Sequence, residues 1–288
     1  MQVKSNRIAD IRNYYGSFLD SGVISGESQF LVDSVIAHFA DIPRLQLSLN
    51  GDKRVSESLL LKIHFAVKAL KQQKPLQYAL GETEFQGMRF KVNESVLIPR
   101  PETEELVELI VKEMQDVKGL HILDIGTGSG CIAVSLSKLL DANVYAVDVS
   151  ENALEVASGN ANLNNVEVDF MLIDILSENA KASLPKNLDI IVSNPPYVRE
   201  MEKKMMQSNV LDYEPDLALF VEDDDPLIFY KTITEIASLS LSKNGQLWFE
   251  INEYLARETL QLVEKHFDKV ILINDYKGAP RFIMASNA

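Results

Sequence analysis

The sequence predicts an α/β protein: a twisted, mostly parallel sheet with helices on both faces, preceded by a small helical bundle and a β-hairpin linker. Three patterns carry this. Beyond residue 118, strand-like runs at 120–123, 143–147, 168–173, 188–192, 245–251 and 269–274 alternate with helical stretches, as expected of packed sheet and helix layers. In the first seventy residues apolar side chains recur at helical spacing, and between residues 75 and 97 the pattern breaks into short extended pieces. At 288 residues and 46% hydrophobic content, the chain can bury one substantial α/β core and a smaller companion. The expected division is 1–74 as the helical domain, 75–98 as the hairpin linker and 99–288 as the sheet domain.

The helical runs are Ile8, Ile11, Tyr15, Phe18 and Leu19, then Phe30, Leu31, Val35 and Phe39, then Leu59, Leu60, Ile63, Val67 and Leu70. Turn chemistry separates them: Gly22 and Gly26, Pro43, and Asn50-Gly51-Asp52. Extended pieces at Phe85–Gln86 and Met88–Val92, broken by Gly81, Gly87 and Asn93, suggest the hairpin. A helix follows. Pro101 suits its first turn, Glu102, Glu104 and Glu105 complement its positive end, and Leu106, Val107, Ile110 and Val111 form its apolar face.

The run Leu120–Leu123 ends in Asp124-Ile125-Gly126-Thr127-Gly128-Ser129-Gly130, followed by a helical stretch from Cys131 to Leu140. Glycines at a strand-to-helix turn let backbone pass close to a ligand. The third glycine comes one residue too early for the dinucleotide fingerprint G-x-G-x-x-G, which argues against NAD. Some twenty residues on, the next strand ends in Asp148, where a carboxylate can accept both hydroxyls of a ribose. Asp174 and Asn194 close the third and fourth strands, so Gly126, Asp148, Asp174 and Asn194 all fall at strand ends, where open α/β sheets bind ligands.

Ser193-Asn194-Pro195-Pro196-Tyr197 closes the fourth strand. Proline has no N–H, so two in succession leave a rigid turn offering only carbonyls. Asn194 adds an amide oxygen and Tyr197 a flat aromatic face, a setting suited to a planar group whose NH2 brings two donors. An amide or an exocyclic amine fits.

With these motifs in this order, the chain resembles the class I S-adenosylmethionine-dependent methyltransferases that act on planar nitrogens through Asn-Pro-Pro-Tyr. Upstream, Pro75-Leu76-Gln77-Tyr78, Leu80-Gly81, Phe85 and Val96-Leu97-Ile98-Pro99-Arg100-Pro101-Glu102-Thr103-Glu104 resemble the signature of the peptide chain release factor glutamine methyltransferases, and Glu214-Pro215 and Leu219 also match. The chain departs from that family at Asp224-Asp225-Pro226-Leu227, where an Asp-Gly-Leu run is common, and at Asn252, where glycine is common. The resemblance implies a Rossmann-like, seven-stranded sheet and S-adenosylmethionine as cofactor. It also implies a class I release factor as protein substrate, methylated on the glutamine N5 of its Gly-Gly-Gln tripeptide.

Gly126, Thr127, Gly128, Ser129, Gly130, Asp148 and Asn194 are then expected at the cofactor, with Asp174 and Ile175 at its adenine. Core packing is the other reading of Ile175. Asn194, Pro195 and Tyr197 are the expected catalytic residues. Substrate contacts are expected from Asn194, Pro195, Pro196, Tyr197, Arg100 and Glu102, with helix capping as the other reading of Glu102. The helical bundle reads as a docking module or as a stabilising cap.

Composition narrows the alternatives. A net charge of −14 opposes charge-driven nucleic-acid binding, although a DNA or RNA base amine presents the same planar NH2 and remains the second reading. The other class is a non-catalytic binding protein on the same scaffold. Cys131, the single cysteine, excludes an internal disulfide and fits a reducing compartment. It reads as a small buried thiol. The four histidines, His38, His64, His121 and His266, sit away from the strand ends, and no grouping has metal-ligand spacing. There is no bilayer-length apolar run, and the N-terminal segment does not read as a targeting peptide, so a cytoplasmic protein without a membrane partner is expected.

Overall fold

A computed structural model describes residues 3–20 and 27–287; the turn expected at Gly22 and Gly26 lies outside them. The chain divides into two compact units, Met1–Gly81 with Gln207–Tyr213, and Glu82–Met206 with Glu214–Ala288.

The first unit is helical, with helices at Ile8–Asp20, Ser28–Ala40, Glu57–Lys71, Leu76–Leu80 and Ser208–Tyr213. Its core collects the apolar positions of the sequence pattern, among them Ile8, Ile11, Tyr15, Leu19, Val35, Ile63, Val67 and Leu70. Ser56 caps the third helix by accepting from the Leu59 N–H at 3.2 Å. Asp41 ends the second in the left-handed region, φ 52°. Phe30 departs from the pattern: it is exposed, with the Arg44 guanidinium 4.2 Å from its ring centre.

The second unit opens with a hairpin, β1 (Glu82–Phe85) and β2 (Met88–Lys91), paired Phe85 to Met88. Gln86 and Gly87 form its two-residue turn, both at positive φ. Glu104 secures that turn: its carboxylate accepts the Gln86 N–H and its carbonyl the Gln86 side-chain amide. Seven further strands make one sheet: β3 (Lys118–Ile125), β4 (Asp141–Asp148), β5 (Asp169–Leu172), β6 (Leu188–Ser193), β9 (Leu241–Glu250), β10 (Lys269–Asn274) and β11 (Pro280–Ser286). Between β6 and β9 lie two short strands, β7 (Val198–Arg199) and β8 (Phe220–Val221), paired with each other.

The sheet order is β10-β11-β9-β6-β3-β4-β5, with β11 alone antiparallel to its neighbours. The seven-stranded, mostly parallel sheet expected from the resemblance is thus present. Its six sequence-patterned strands recur with boundaries within a few residues. The seventh, β11, had no pattern of its own because Phe282, Ile283, Met284 and Ala285 are all buried, which erases the alternation of a half-exposed strand.

Successive residues face opposite cores. Leu120, Ile122, Ile190, Val192 and Trp248 pack with the helices at Pro101–Met114 and Cys131–Leu139; Leu123, Ile125, Ile191, Leu247 and Phe249 pack with those at Ile228–Ser240 and Ala256–Val263. Gly245 is required where β9 passes β6, since a Cβ there would stand 2.7 Å from the Leu188 carbonyl. The chain builds outward from β3 through β4 to β5, then returns to the other side of β3 with β6. That reversal is the topological switch over which such sheets hold ligands.

Candidate active site

A cavity of about 390 Å³ opens over the carboxyl ends of β3, β4, β5 and β6. The sheet brings Gly126, Thr127, Gly128, Ser129, Asp148, Asp174, Ile175, Asn194, Pro195 and Pro196 to its wall, and Arg100 joins them from the preceding segment. Ile175 both packs on the core and lines the cavity.

The glycine turn is shaped by its backbone. Gly126 and Gly128 have φ of 75° and 53°, and a Cβ at either would meet no protein atom within 4 Å, so their open side faces the cavity. The turn is tied to the neighbouring strand: the Gly126 and Thr127 N–H groups both donate to the Val147 carbonyl. Gly130 is different. It lies outside the cavity wall, caps the helix at Cys131–Leu139 with φ 78°, and a Cβ there would come within 3.0 Å of Ala157 Cβ. Its missing Cβ lets it pass close to Ala157.

Asp148 is held by backbone donors on both oxygens, Gly128 N–H to Oδ2 at 2.8 Å and Ser150 N–H to Oδ1 at 2.9 Å. One lone pair on each oxygen remains for a vicinal diol. Asp174 accepts the Leu176 N–H on Oδ1, and among the described residues no donor reaches its Oδ2. Beneath the turn, Asp124 accepts the Thr127 hydroxyl on Oδ2 at 2.7 Å, while its fully buried Oδ1 has no partner among the described residues. Burial pushes the Asp124 carboxyl up to about 7. Cys131 is buried and free, its thiol raised to about 12 by the same desolvation, which keeps it protonated.

The other wall is a chain of side-chain hydrogen bonds. Asn194 Nδ2 donates to Thr103 Oγ1 at 3.1 Å, and Thr103 Oγ1 donates to Glu250 Oε2 at 2.7 Å. The Tyr197 phenol donates to Glu250 Oε1 at 3.2 Å, and the Tyr230 phenol donates to the Glu250 carbonyl. Burial raises the Glu250 carboxyl above its ordinary value, against the donors that lower it, and also raises the Tyr197 phenol. Tyr197 lies behind the main cavity, in a small annex of about 60 Å³ that shares Leu97, Arg100, Asn194 and Pro195 with it. Asn252 donates to the Tyr197 carbonyl at 3.0 Å, so the residue at the departure from the family pattern supports the site's aromatic.

Two expected substrate contacts are engaged elsewhere. The Arg100 guanidinium lines the cavity but pairs with buried Glu214 at 2.5 Å, and Glu214 also accepts the Ile98 N–H, which straps residues 98–100 in place. Glu102 lies outside both cavities, its carboxylate paired with Lys277 at 2.7 Å. Sequence reasoning assigned no role to Thr103 or Glu250. The motif Pro-Glu-Thr-Glu contained the first; the only mark of the second was an acid after the apolar run Leu247-Trp248-Phe249.

A glycine turn and two strand-end carboxylates beside an acceptor-rich Asn-Pro-Pro corner are the parts of an S-adenosylmethionine-dependent methyltransferase. The model of the methyltransferase small domain family matches residues 102–212. The release factor glutamine methyltransferase of Flavobacterium psychrophilum is 52% identical over 262 residues, covering 89% of this chain and 90% of that relative. That of Bacteroides thetaiotaomicron is 48% identical over 247 residues, covering 85% and 87%. Among solved structures, a methyltransferase from Pyrococcus furiosus superimposes with a TM-score of 0.51 at 20% identity, covering 80% of this chain and 97% of that one, a likeness of fold. The chain belongs to the release factor glutamine methyltransferases.

Proposed function

We propose that this chain transfers a methyl group from S-adenosylmethionine to the N5 side-chain nitrogen of the glutamine in the Gly-Gly-Gln tripeptide of class I peptide chain release factors. The observation that carries this reading is the Asn194 amide, anchored through its nitrogen on Thr103, with no donor to Oδ1 among the described residues and with Pro195 next to it in the cavity wall.

The residues present fit the cofactor. Asp148, with a lone pair free on each oxygen, would hold the ribose hydroxyls, Asp174 and Ile175 the adenine, and Gly126 to Ser129 the methionine portion. When bound, the cofactor supplies an electrophilic methyl on a sulfonium.

An amide nitrogen is a poor nucleophile because its lone pair is delocalised into the carbonyl. Asn194 Oδ1 and the Pro195 carbonyl each take one N–H of the substrate NH2, which orients the nitrogen. As positive charge develops on that nitrogen both hydrogen bonds strengthen, so these two acceptors bind the transition state better than the ground state. Pro196 stiffens the turn that carries them. Tyr197, its phenol fixed by Glu250, backs the corner with its ring. No group of this site has to act as a base before transfer; the surplus proton leaves the product nitrogen for solvent.

The helical unit serves to dock the release factor, and the protein works in the cytoplasm. No helix among the described residues is long and apolar enough to cross a membrane. The test is incubation with methyl-labelled S-adenosylmethionine and unmodified release factor, with RNA and DNA in parallel. Label on the release factor is the expected result; label confined to nucleic acid overturns the reading.

A further inference from the structure

The Asn194 amide is useful to the proposed reaction in only one of its two orientations. With Oδ1 toward the cavity, the corner offers two acceptors to a group bringing two N–H donors. Turned by half a rotation, it offers one donor and one acceptor, and the substrate NH2 meets an NH2. Asn194 alone has little reason to prefer either, since its amide is nearly symmetric in shape.

The preference is set two residues away. A threonine hydroxyl has one proton, and that of Thr103 is committed to Glu250 Oε2 at 2.7 Å. Glu250 is fully buried, with the Thr103 hydroxyl on one oxygen and the Tyr197 phenol on the other; burial raises its carboxyl, while these two donors and the Arg281 charge favour the carboxylate, which can only accept. Thr103 Oγ1 can therefore only accept from Asn194, and Nδ2 donates to it at 3.1 Å. The reverse orientation would place two oxygens at that distance with no proton between them. Thr103 is itself 3% exposed, in the first turn of the helix at Pro101–Met114, which holds its hydroxyl between Asn194 and Glu250.

We propose that Thr103, with its hydroxyl committed to Glu250, is a positioning residue that locks the Asn194 amide oxygen toward the acceptor substrate. It thereby selects a nitrogen with two N–H donors. The inference rests on the glutamine-amide reading for its catalytic consequence but not for the orientation itself. A singly methylated amide has one N–H and leaves one acceptor unpaired, so the same lock disfavours retention of the product.

The test compares Thr103→Val, which keeps the shape and loses the oxygen, with Thr103→Ser, which keeps the oxygen and loses a methyl. Turnover on release factor is measured at saturating cofactor, alongside cofactor affinity and the NMR signal and exchange rate of the Asn194 side-chain NH2. The lock predicts that the Val variant loses on the order of ten- to a hundredfold in kcat, below the limit set by deleting an oriented group outright. Cofactor affinity stays within about a few-fold, and Ser restores most of the rate. In the unliganded protein the Asn194 NH2 protons are protected in wild type and the Ser variant, and unprotected in the Val variant. A packing role predicts the opposite ranking, Val active and Ser impaired, and would overturn the proposal. So would unchanged NH2 exchange in the Val variant. Wild-type protein that leaves release factor unmethylated would sink the glutamine reading, while the exchange data would still decide the orientation.

Discussion

The two walls of the cavity are built on opposite principles. The wall proposed to hold the cofactor is largely backbone: a glycine turn bonded to the next strand, and two aspartates whose side chains are held by N–H groups within about twenty residues of them in sequence. The acceptor wall is a relay of side chains from residues 103, 194, 197 and 250, brought together only by the folded sheet. Binding a common cofactor needs a local cradle. Choosing one nitrogen needs a fixed pattern of donors and acceptors, which takes several elements to enforce.

Asn194→Ala tests the acceptor wall most severely. It is expected to lower turnover by roughly 10²–10³ while cofactor affinity stays within a few-fold, since it removes an oriented partner of the transition state. Steady-state kinetics beside calorimetric titration check this, and an unchanged rate takes Asn194 out of the mechanism. Asp148→Ala is the counterpart on the other wall. Losing an acceptor for two hydroxyls is expected to weaken cofactor binding by about ten- to a hundredfold, with a smaller effect on turnover at saturation. If titration finds the affinity unchanged, the ribose contact is wrong and the two walls do not divide the work.

Smaller effects separate structure from function within the glycine turn. Gly130→Ala forces a side chain into the left-handed region against Ala157, at a cost of about 1–2 kcal/mol. Denaturant unfolding should show that loss with little change in cofactor affinity, and a large affinity change would return Gly130 to the binding residues. Asp124 offers a pH test. Its carboxyl is raised in the fold from 3.8 to about 7 by burial, so the native state holds the proton more tightly than the unfolded chain. Its contribution to stability is therefore fully present below 3.8 and is lost as pH rises to about 7. Thermal melts across that window should fall less steeply for Asp124→Asn than for wild type; equal slopes would contradict the buried-acid assignment.

The glycine turn and the strand-end aspartates that line the cavity were legible in the sequence because they are local. Gly126 and Gly128 announce a left-handed turn, and Asp148 and Asp174 announce strand ends, without knowledge of the sheet order. Gly130 looked like its neighbours because spacing cannot show that its missing Cβ faces a helix instead of the cavity. Asn194 and Pro195 read as acceptors in the sequence, but not the relay behind them, since Glu250 meets Thr103 only where the helix at Pro101–Met114 packs on β9. Arg100 and Glu102 were placed near the substrate by motif, and their partners, Glu214 and Lys277, lie more than a hundred residues away. Strand β11 was hidden by burial on both faces; the resemblance implied a seventh strand, and its place between β10 and β9 came only from the structure.

The most direct test of the central claim is to digest release factor after incubation with the protein and labelled S-adenosylmethionine, and to locate the methyl by fragment mass spectrometry. A single methyl on the glutamine side chain of Gly-Gly-Gln is the predicted result. A methyl on a lysine, arginine or terminal amine would contradict the account, because those nitrogens do not present the planar two-donor NH2 that the Asn194 and Pro195 acceptors are arranged to hold.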